Sequence, residues 1–165
     1  MNFLAQIIAY YCLHYPYPGE LSDARLTKMV YLADWFSSLS SGEQLTNIRW
    51  YFNHYGPYVD DVIDEVQSSS NFFQVNTEIN YYGNSKKLIR YMGRESLVQL
   101  DNFTIHILNT VVEETKHMYF NEFIDFVYST YPIAKNDRYA YLDLEELARE
   151  CQSRNRLIDN EKKRP

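Results

Sequence analysis

Apolar residues recur every three or four positions over most of this chain, which is the spacing that places side chains on one face of an α-helix. The pattern predicts helices at residues 2–14, 22–39, 58–67, 98–112, 120–131 and 143–151. Pro16, Pro132 and a serine-rich stretch at residues 37–42 interrupt it. The apolar face of the segment that starts near residue 98 is broad, so we expect that segment to be a central, largely buried helix.

Two stretches depart from helical spacing and predict β-structure. Residues 47–55 are aromatic and roughly alternating and stop at Gly56 and Pro57, so we expect an extended segment that leads into a turn. Pro57 would then precede the next helix or lie in its first turn. Residues 73–81 alternate as a strand, and a glycine-containing turn leads to a second strand at residues 87–92.

These patterns together predict a mainly helical α+β fold. We expect about six helices packed around a central helix, with a small antiparallel β-hairpin or three-stranded sheet. The length of 165 residues suits one core, and no linker or internal repeat divides the chain. We therefore expect residues 1–151 to form a single domain and the polar, partly basic residues 152–165 to be a frayed tail.

The N-terminal apolar run resembles neither a signal peptide nor a membrane span. It has no basic residue before Arg25, it lacks a small-residue cleavage site, and it is shorter than the ~20 residues that cross a bilayer. The two cysteines, Cys12 and Cys151, lie far apart without metal-site spacing, which favours a reducing compartment. We expect a cytoplasmic protein without membrane association.

Charge is unevenly distributed. Residues 1–148 contain ten basic and nineteen acidic residues, a formal charge of −9, whereas residues 149–165 contain six basic and three acidic ones. No lysine or arginine lies between Trp50 and Ser85, so a recognition helix at residues 58–67 would repel phosphates. The sequence thus disfavours nucleic acid as a partner. The alternative of a nucleic-acid-binding regulator that uses the hairpin and the basic tail stays open.

Patterns that carry catalysis or metal binding are weak. Asp60, Asp61, Asp64 and Glu65 could share a helix face around a divalent cation, but acidic residues in a first helical turn are favoured by the helix dipole and are usually solvated. The four histidines lie in different predicted elements without a nucleophile pattern. We predict no metal, no cofactor, no catalytic residue and no enzymatic activity. A hydrolase with a site assembled around His54 is a weaker alternative.

Aromatic residues are abundant, with 16 tyrosines, 9 phenylalanines and 2 tryptophans. Phenylalanines such as Phe103 and Phe120 fall in helical stripes and are interpreted as core. Tyrosines gather near the Gly-Pro turn and the hairpin, and tyrosine is enriched at protein-binding surfaces. With three neighbouring aspartates they form our candidate protein-binding surface, which comprises Tyr51, Tyr58, Tyr81, Tyr82, Tyr91, Asp60, Asp61 and Asp64.

Two sequence blocks carry a family resemblance. Residues 26–34 read LTKMVYLAD, and Trp50 and the segment YGPYV at residues 55–59 follow. They resemble the SocA-like, or Panacea, antitoxin domain, whose members share a Lys-x-x-Tyr-x-Ala-Asp helix and an aromatic-Gly-Pro segment before an acidic helix. The resemblance covers residues 4–67, and residues 131–144 depart from it. The matching motif positions are Lys28, Tyr31, Asp34, Trp50, Tyr55, Gly56 and Pro57.

The resemblance implies a function as well as a fold. Family members form the antitoxin half of bacterial and phage toxin-antitoxin pairs and neutralise diverse toxins by direct binding, and one delivers its toxin to an ATP-dependent protease. We therefore expect this chain to bind a cognate protein toxin, encoded by the adjacent gene, through its aromatic and acidic surface. We expect the motif positions chiefly to hold the fold together rather than to contact the toxin.

Overall fold

In the computed structural model, which describes residues 1–79 and 81–164, helices form most of the chain. Asn80, which the predicted first strand of the hairpin included, and Pro165, in the predicted tail, lie outside the described residues. The helices are α1 Phe3–His14, α2 Asp23–Ser41, α3 Asp61–Ser68, α4 Asn102–Thr115, α5 Phe120–Ser129, α6 Tyr131–Lys135 and α7 Leu144–Lys162.

The strands are short and antiparallel. They are β1 Tyr51–Asn53, β2 Gly56–Pro57, β3 Phe73–Ile79, β4 Ser85–Tyr91 and β5 Ala140–Tyr141. Within the described residues they make a three-stranded sheet in the order β2-β1-β5 and a separate β3-β4 hairpin. The predicted fold class, mainly helical with small antiparallel β elements, is confirmed.

The central helix is α2 and not the predicted segment at residues 98–112. Thirteen of the nineteen residues of α2 are buried, whereas α4 buries six of fourteen. Helix α2 packs against α1, α3, α4, α5 and α7 and against strand β4. The prediction was wrong because α2 buries polar side chains such as Arg25, Lys28 and Ser37, which lower its apparent hydrophobicity.

The helix ends follow local sequence signals. Ser22 caps the start of α2, because its Oγ accepts a hydrogen bond from the Arg25 backbone N–H at 3.2 Å. Asp143 does the same for the backbone N–H of Glu146 at 3.1 Å at the start of α7. Gly42 ends α2 in a left-handed conformation, with φ of 80°. These caps satisfy backbone groups that a helix leaves without partners at its ends.

The Gly-Pro turn differs from its prediction. Pro57 precedes the next helix, which is one of the two predicted alternatives, but it lies in a strand, β2, where it pairs with Phe52, while Gly56 pairs with Asn53. Helix α3 begins only at Asp61. The extended segment predicted at residues 47–55 is regular only over Tyr51–Asn53. Strand β5, from the stretch that departs from the family resemblance, pairs with the other edge of β1.

The β3-β4 hairpin forms as predicted and joins the helices. Its register runs from Phe73 opposite Tyr91 to Ile79 opposite Ser85. Ile89 is 2% exposed, and its backbone N–H donates to the Leu21 carbonyl at 3.2 Å. The hairpin is therefore attached to the segment just before α2.

The C-terminal region corrects two predictions. Pro132 does more than end a helix, because it lies in the first turn of the short helix α6. Residues 152–162, predicted as part of a frayed tail, continue helix α7. Gln152 Nε2 donates to the Leu39 carbonyl at 2.5 Å, and residues 153–162 are exposed. No helix in the described part of the chain combines the length and the hydrophobicity that a membrane span requires.

Candidate functional site

Asp34 of α2 is a buried acceptor that organises the chain before β1. Its Oδ1 accepts from the Thr46 backbone N–H at 2.9 Å, and its Oδ2 accepts from the Thr46 hydroxyl at 2.5 Å and from the Trp50 indole N–H at 2.8 Å. Burial raises the pKa of Asp34 to about 6, although these hydrogen bonds act to lower it. The carboxyl group thus ties the central helix to the segment that enters the three-stranded sheet.

Tyr31 and Trp50 continue this internal network. Both side chains are fully buried, and their rings meet edge to face with centres 5.5 Å apart. The Tyr31 hydroxyl lies 2.9 Å from Thr130 Oγ1, at the junction of α5 and α6. Burial raises the pKa of Tyr31 above its usual range. The contacts of these side chains are internal, so they hold elements together.

Lys28 behaves differently from the other motif residues of α2. Its side chain is only 2% exposed, yet no atom in the described part of the chain accepts a hydrogen bond from its ammonium group or forms an ion pair with it. The ammonium nitrogen lies 5.8 Å from the centre of the Tyr58 ring. Burial lowers the pKa of Lys28 to about 8, and the negative charge of Asp23 opposes that shift.

Lys28 lines a groove of about 580 Å³ between α2, the β1-β2 turn and α5, which we call the turn groove. Its remaining walls are mostly aromatic or apolar. They comprise Ala24 of α2, then Asn53, His54, Tyr55 and Tyr58 around the turn, and Phe120, Asn121, Ile124 and Tyr128 of α5.

Gly56 lies next to two residues that line the turn groove, Tyr128 and Lys28. Its φ of 95° lies in the region that favours glycine. A Cβ atom at this position would lie 3.3 Å from Tyr128 Cε2 and 3.8 Å from Lys28 Cε. The absence of a side chain therefore lets the turn, Lys28 and α5 approach one another closely.

Charged residues next to the lining of the turn groove act on its two sides. Burial raises the pKa of Tyr58, and the charges of Asp23, Asp60 and Asp64 raise it further, so these aspartates lie on the Tyr58 side. On the opposite side, Arg138 donates to the His54 carbonyl at 3.1 Å and to the Tyr128 hydroxyl at 3.2 Å. The Arg138 hydrogen bonds fix the orientation of that wall.

The structure does not bring the predicted protein-binding surface together as one patch. Tyr58, together with the motif residue Tyr55, lines the turn groove. Tyr51 packs on Tyr141 with ring centres 5.0 Å apart, and Tyr91 packs on Phe73 with ring centres 5.5 Å apart.

The other members of that predicted surface are exposed. Tyr81 and Tyr82 lie at the tip of the hairpin and are 98% and 85% exposed. Asp60, Asp61 and Asp64 lie exposed at the start of α3, and no group of three or more potential metal ligands occurs among residues 1–79 and 81–164.

The α5 wall was missed in the sequence. The helical stripe predicts Phe120 as core, yet Phe120 is 47% exposed and lines the turn groove together with Ile124. Phe103, also interpreted as core, is 42% exposed on α4. The spacing of Phe120, Ile124 and Tyr128 every four residues was the available signal, but it does not say which element α5 faces.

Comparison with known proteins gives one match. The family model described as antitoxin SocA-like, Panacea domain, matches residues 26–132. That range runs from α2 into the first turn of α6 and contains every residue that lines the turn groove except Ala24. No curated protein and no solved structure matches the chain.

Proposed function

The chain belongs to the antitoxin SocA-like, Panacea domain family, and on that basis we propose that it neutralises a cognate protein toxin by binding it directly. The toxin would be the product of an adjacent gene in a bacterial or phage toxin-antitoxin pair, and the complex would form in the cytoplasm. Neutralisation by occlusion requires no chemical step and no cofactor from this chain. It requires a surface that holds the toxin.

The observation that carries this proposal is the turn groove. Protein-binding hot spots are typically aromatic side chains around a pocket that excludes water, surrounded by a polar rim. Tyr55 and Phe120 are 74% and 47% exposed at this groove, and Asn53 and Asn121 add polar groups to its lining. The groove also lies almost entirely within the residues that match the family model.

Co-expression in bacteria tests the proposal. The adjacent gene should arrest growth when expressed alone, and co-expression of this chain should restore growth. Phe120→Ser should lose most of that rescue because it removes an anchor from the turn groove. Phe103→Ser is the matched control, since Phe103 is similarly exposed but lies on α4, outside that groove. Equal rescue by both variants would reject the turn groove as the toxin-binding surface.

Delivery of the toxin to an ATP-dependent protease is a second route to the same outcome. The same co-expression in a host lacking that protease distinguishes the two routes. Direct occlusion predicts that this chain still restores growth. Loss of rescue in that host alone would assign the protease-adaptor role instead.

A further inference from the structure

The side chain of Lys28 is 2% exposed, and its ammonium group has no protein partner among the described residues. An isolated charge that leaves water is expensive unless a counter-charge or hydrogen bonds compensate it. Asp34, the other charged motif residue of α2, accepts three hydrogen bonds, whereas the Lys28 ammonium group donates none to the described residues.

The ammonium group of Lys28 lies at the turn groove. Lys28 lines the turn groove, its ammonium nitrogen lies beside the Tyr58 ring, and its Cε lies 3.8 Å from where a Cβ on residue 56 would be. The amine is mostly protonated at neutral pH because its pKa is about 8. A ligand in the turn groove can therefore contact one positive charge, the Lys28 ammonium group, and accept hydrogen bonds from it.

We infer that the turn groove is a carboxylate-binding site, in which Lys28 pairs with an aspartate, glutamate or C-terminal carboxylate of the protein partner. An aromatic or aliphatic side chain next to that carboxylate contacts Tyr58, Phe120 and Ile124. This inference rests on the proposed function for the identity of the partner, but the site itself exists in this chain alone.

The surrounding charges favour a single carboxylate over a polyanion. Asp23, Asp60 and Asp64 act on the Tyr58 wall and would repel a nucleic acid backbone or a phosphate cluster. One carboxylate can pair with Lys28 at the floor while its attached chain leaves along the opposite wall, where Arg138 holds His54 and Tyr128. Charge complementarity of this kind commonly fixes the register of a partner as well as its affinity.

A fragment titration tests the site without the toxin. The probe is 3-phenylpropionate, its neutral control is 3-phenylpropanamide, and binding is followed by shifts of backbone amide NMR signals. We expect the acid to bind with a dissociation constant on the order of 1 mM, to shift signals of the turn and α5, and to bind at least tenfold more tightly than the amide. Lys28→Met should abolish that preference, and Lys116→Met, at a surface ion pair with Glu113, should keep it.

The thermal midpoint of Lys28→Met should equal or exceed that of the original chain, because the substitution removes a largely desolvated charge that has no counter-charge in contact. Equal binding of acid and amide by a folded original chain would overturn the site. Retention of the preference by Lys28→Met would overturn the role of Lys28.

A second experiment, with the purified toxin, tests whether the carboxylate that pairs with Lys28 belongs to the toxin. Lys28→Met should weaken toxin binding at least tenfold, and Lys116→Met should not change it. If the fragment binds as expected but Lys28→Met binds toxin normally, the partner-carboxylate assignment is overturned while the antitoxin proposal stands, and a free small carboxylate is then the occupant. If the original chain binds no toxin, the antitoxin proposal fails and the assignment to a protein partner fails with it, whatever the fragment shows.

Discussion

Asp34 and Lys28 lie six positions apart on α2 and are buried to a similar extent, but their side chains have different roles. Both are at most 2% exposed. Asp34 accepts three hydrogen bonds that join helix to sheet, whereas Lys28 faces a groove without a partner among the described residues. The sequence motif includes both residues but could not distinguish their roles. The roles depend on where Thr46 and the β1-β2 turn pack against α2 in the folded chain.

Asp34→Asn should destabilise the fold, since an amide NH₂ would replace one of the two carboxylate oxygens, and each of them accepts at least one hydrogen bond. We expect a loss of about 2–3 kcal/mol in the free energy of unfolding, measured by urea denaturation. Asp61→Asn, at an exposed position on α3, is the control and should change little. An unchanged urea midpoint for Asp34→Asn would contradict the role assigned to the carboxyl group.

The same residue predicts a dependence of stability on pH. The pKa of Asp34 is about 6 in the folded chain, against 3.8 for an unperturbed aspartate. The folded state therefore binds the proton more tightly, so this group adds stability as pH falls through 6 and loses it as pH rises. The free-energy difference between the original chain and Asp34→Asn should grow between pH 7 and pH 4. A difference that is constant over this range, or shrinks towards low pH, would contradict the raised pKa.

At the scale of elements, helical periodicity predicted most helices and the alternating stretch predicted the hairpin. Two of the failures share a physical cause. The burial of α2 and the pairing of Pro57 in β2 arise from long-range packing, which overrides local propensity and is invisible to a local pattern. The extension of α7 past residue 152 is different, because residues 153–164 are exposed.

The β1-β2 turn gives the sharpest test at this scale. Gly56→Ala should cost about 1–3 kcal/mol, because a left-handed φ and a close contact with Tyr128 both oppose a side chain. Gly42→Ala keeps the φ penalty, since φ is 80°, but meets no atom within 4 Å. Gly19→Ala meets neither obstacle. The thermal midpoint should be highest for Gly19→Ala, lower for Gly42→Ala and lowest for Gly56→Ala. A Gly56→Ala midpoint at or above that of Gly42→Ala would contradict the close packing around the turn groove.

At the scale of the molecule, the sequence predicted the fold class and the family but not the groove. Its α5 wall lies some 65 residues away in sequence from the β1-β2 turn, and only the folded chain shows that the two face each other. The formal charge of the chain, unlike the groove, can be counted from the sequence. The −9 of residues 1–148 favours an encounter with a basic partner.

That charge predicts how the proposed toxin partner associates with this chain. Raising the ionic strength from ~0.05 M to ~0.5 M should slow the association rate roughly tenfold or more, because salt screens long-range attraction. The dissociation rate should change much less. Stopped-flow or surface-based kinetics measure both rates, and replacement of Asp60, Asp61 and Asp64 by asparagine should reduce the salt dependence. An association rate that ignores ionic strength would reject electrostatic steering.

Direct titration of the purified chain with the purified product of the adjacent gene separates neutralisation by contact from every indirect route. We predict a stoichiometric complex with a dissociation constant on the order of 10⁻⁹ to 10⁻⁷ M. Phe120→Ser should weaken it at least tenfold, and Phe103→Ser should leave it unchanged. Rescue of growth in cells by a chain that shows no measurable binding to the toxin in this titration would contradict the proposed function.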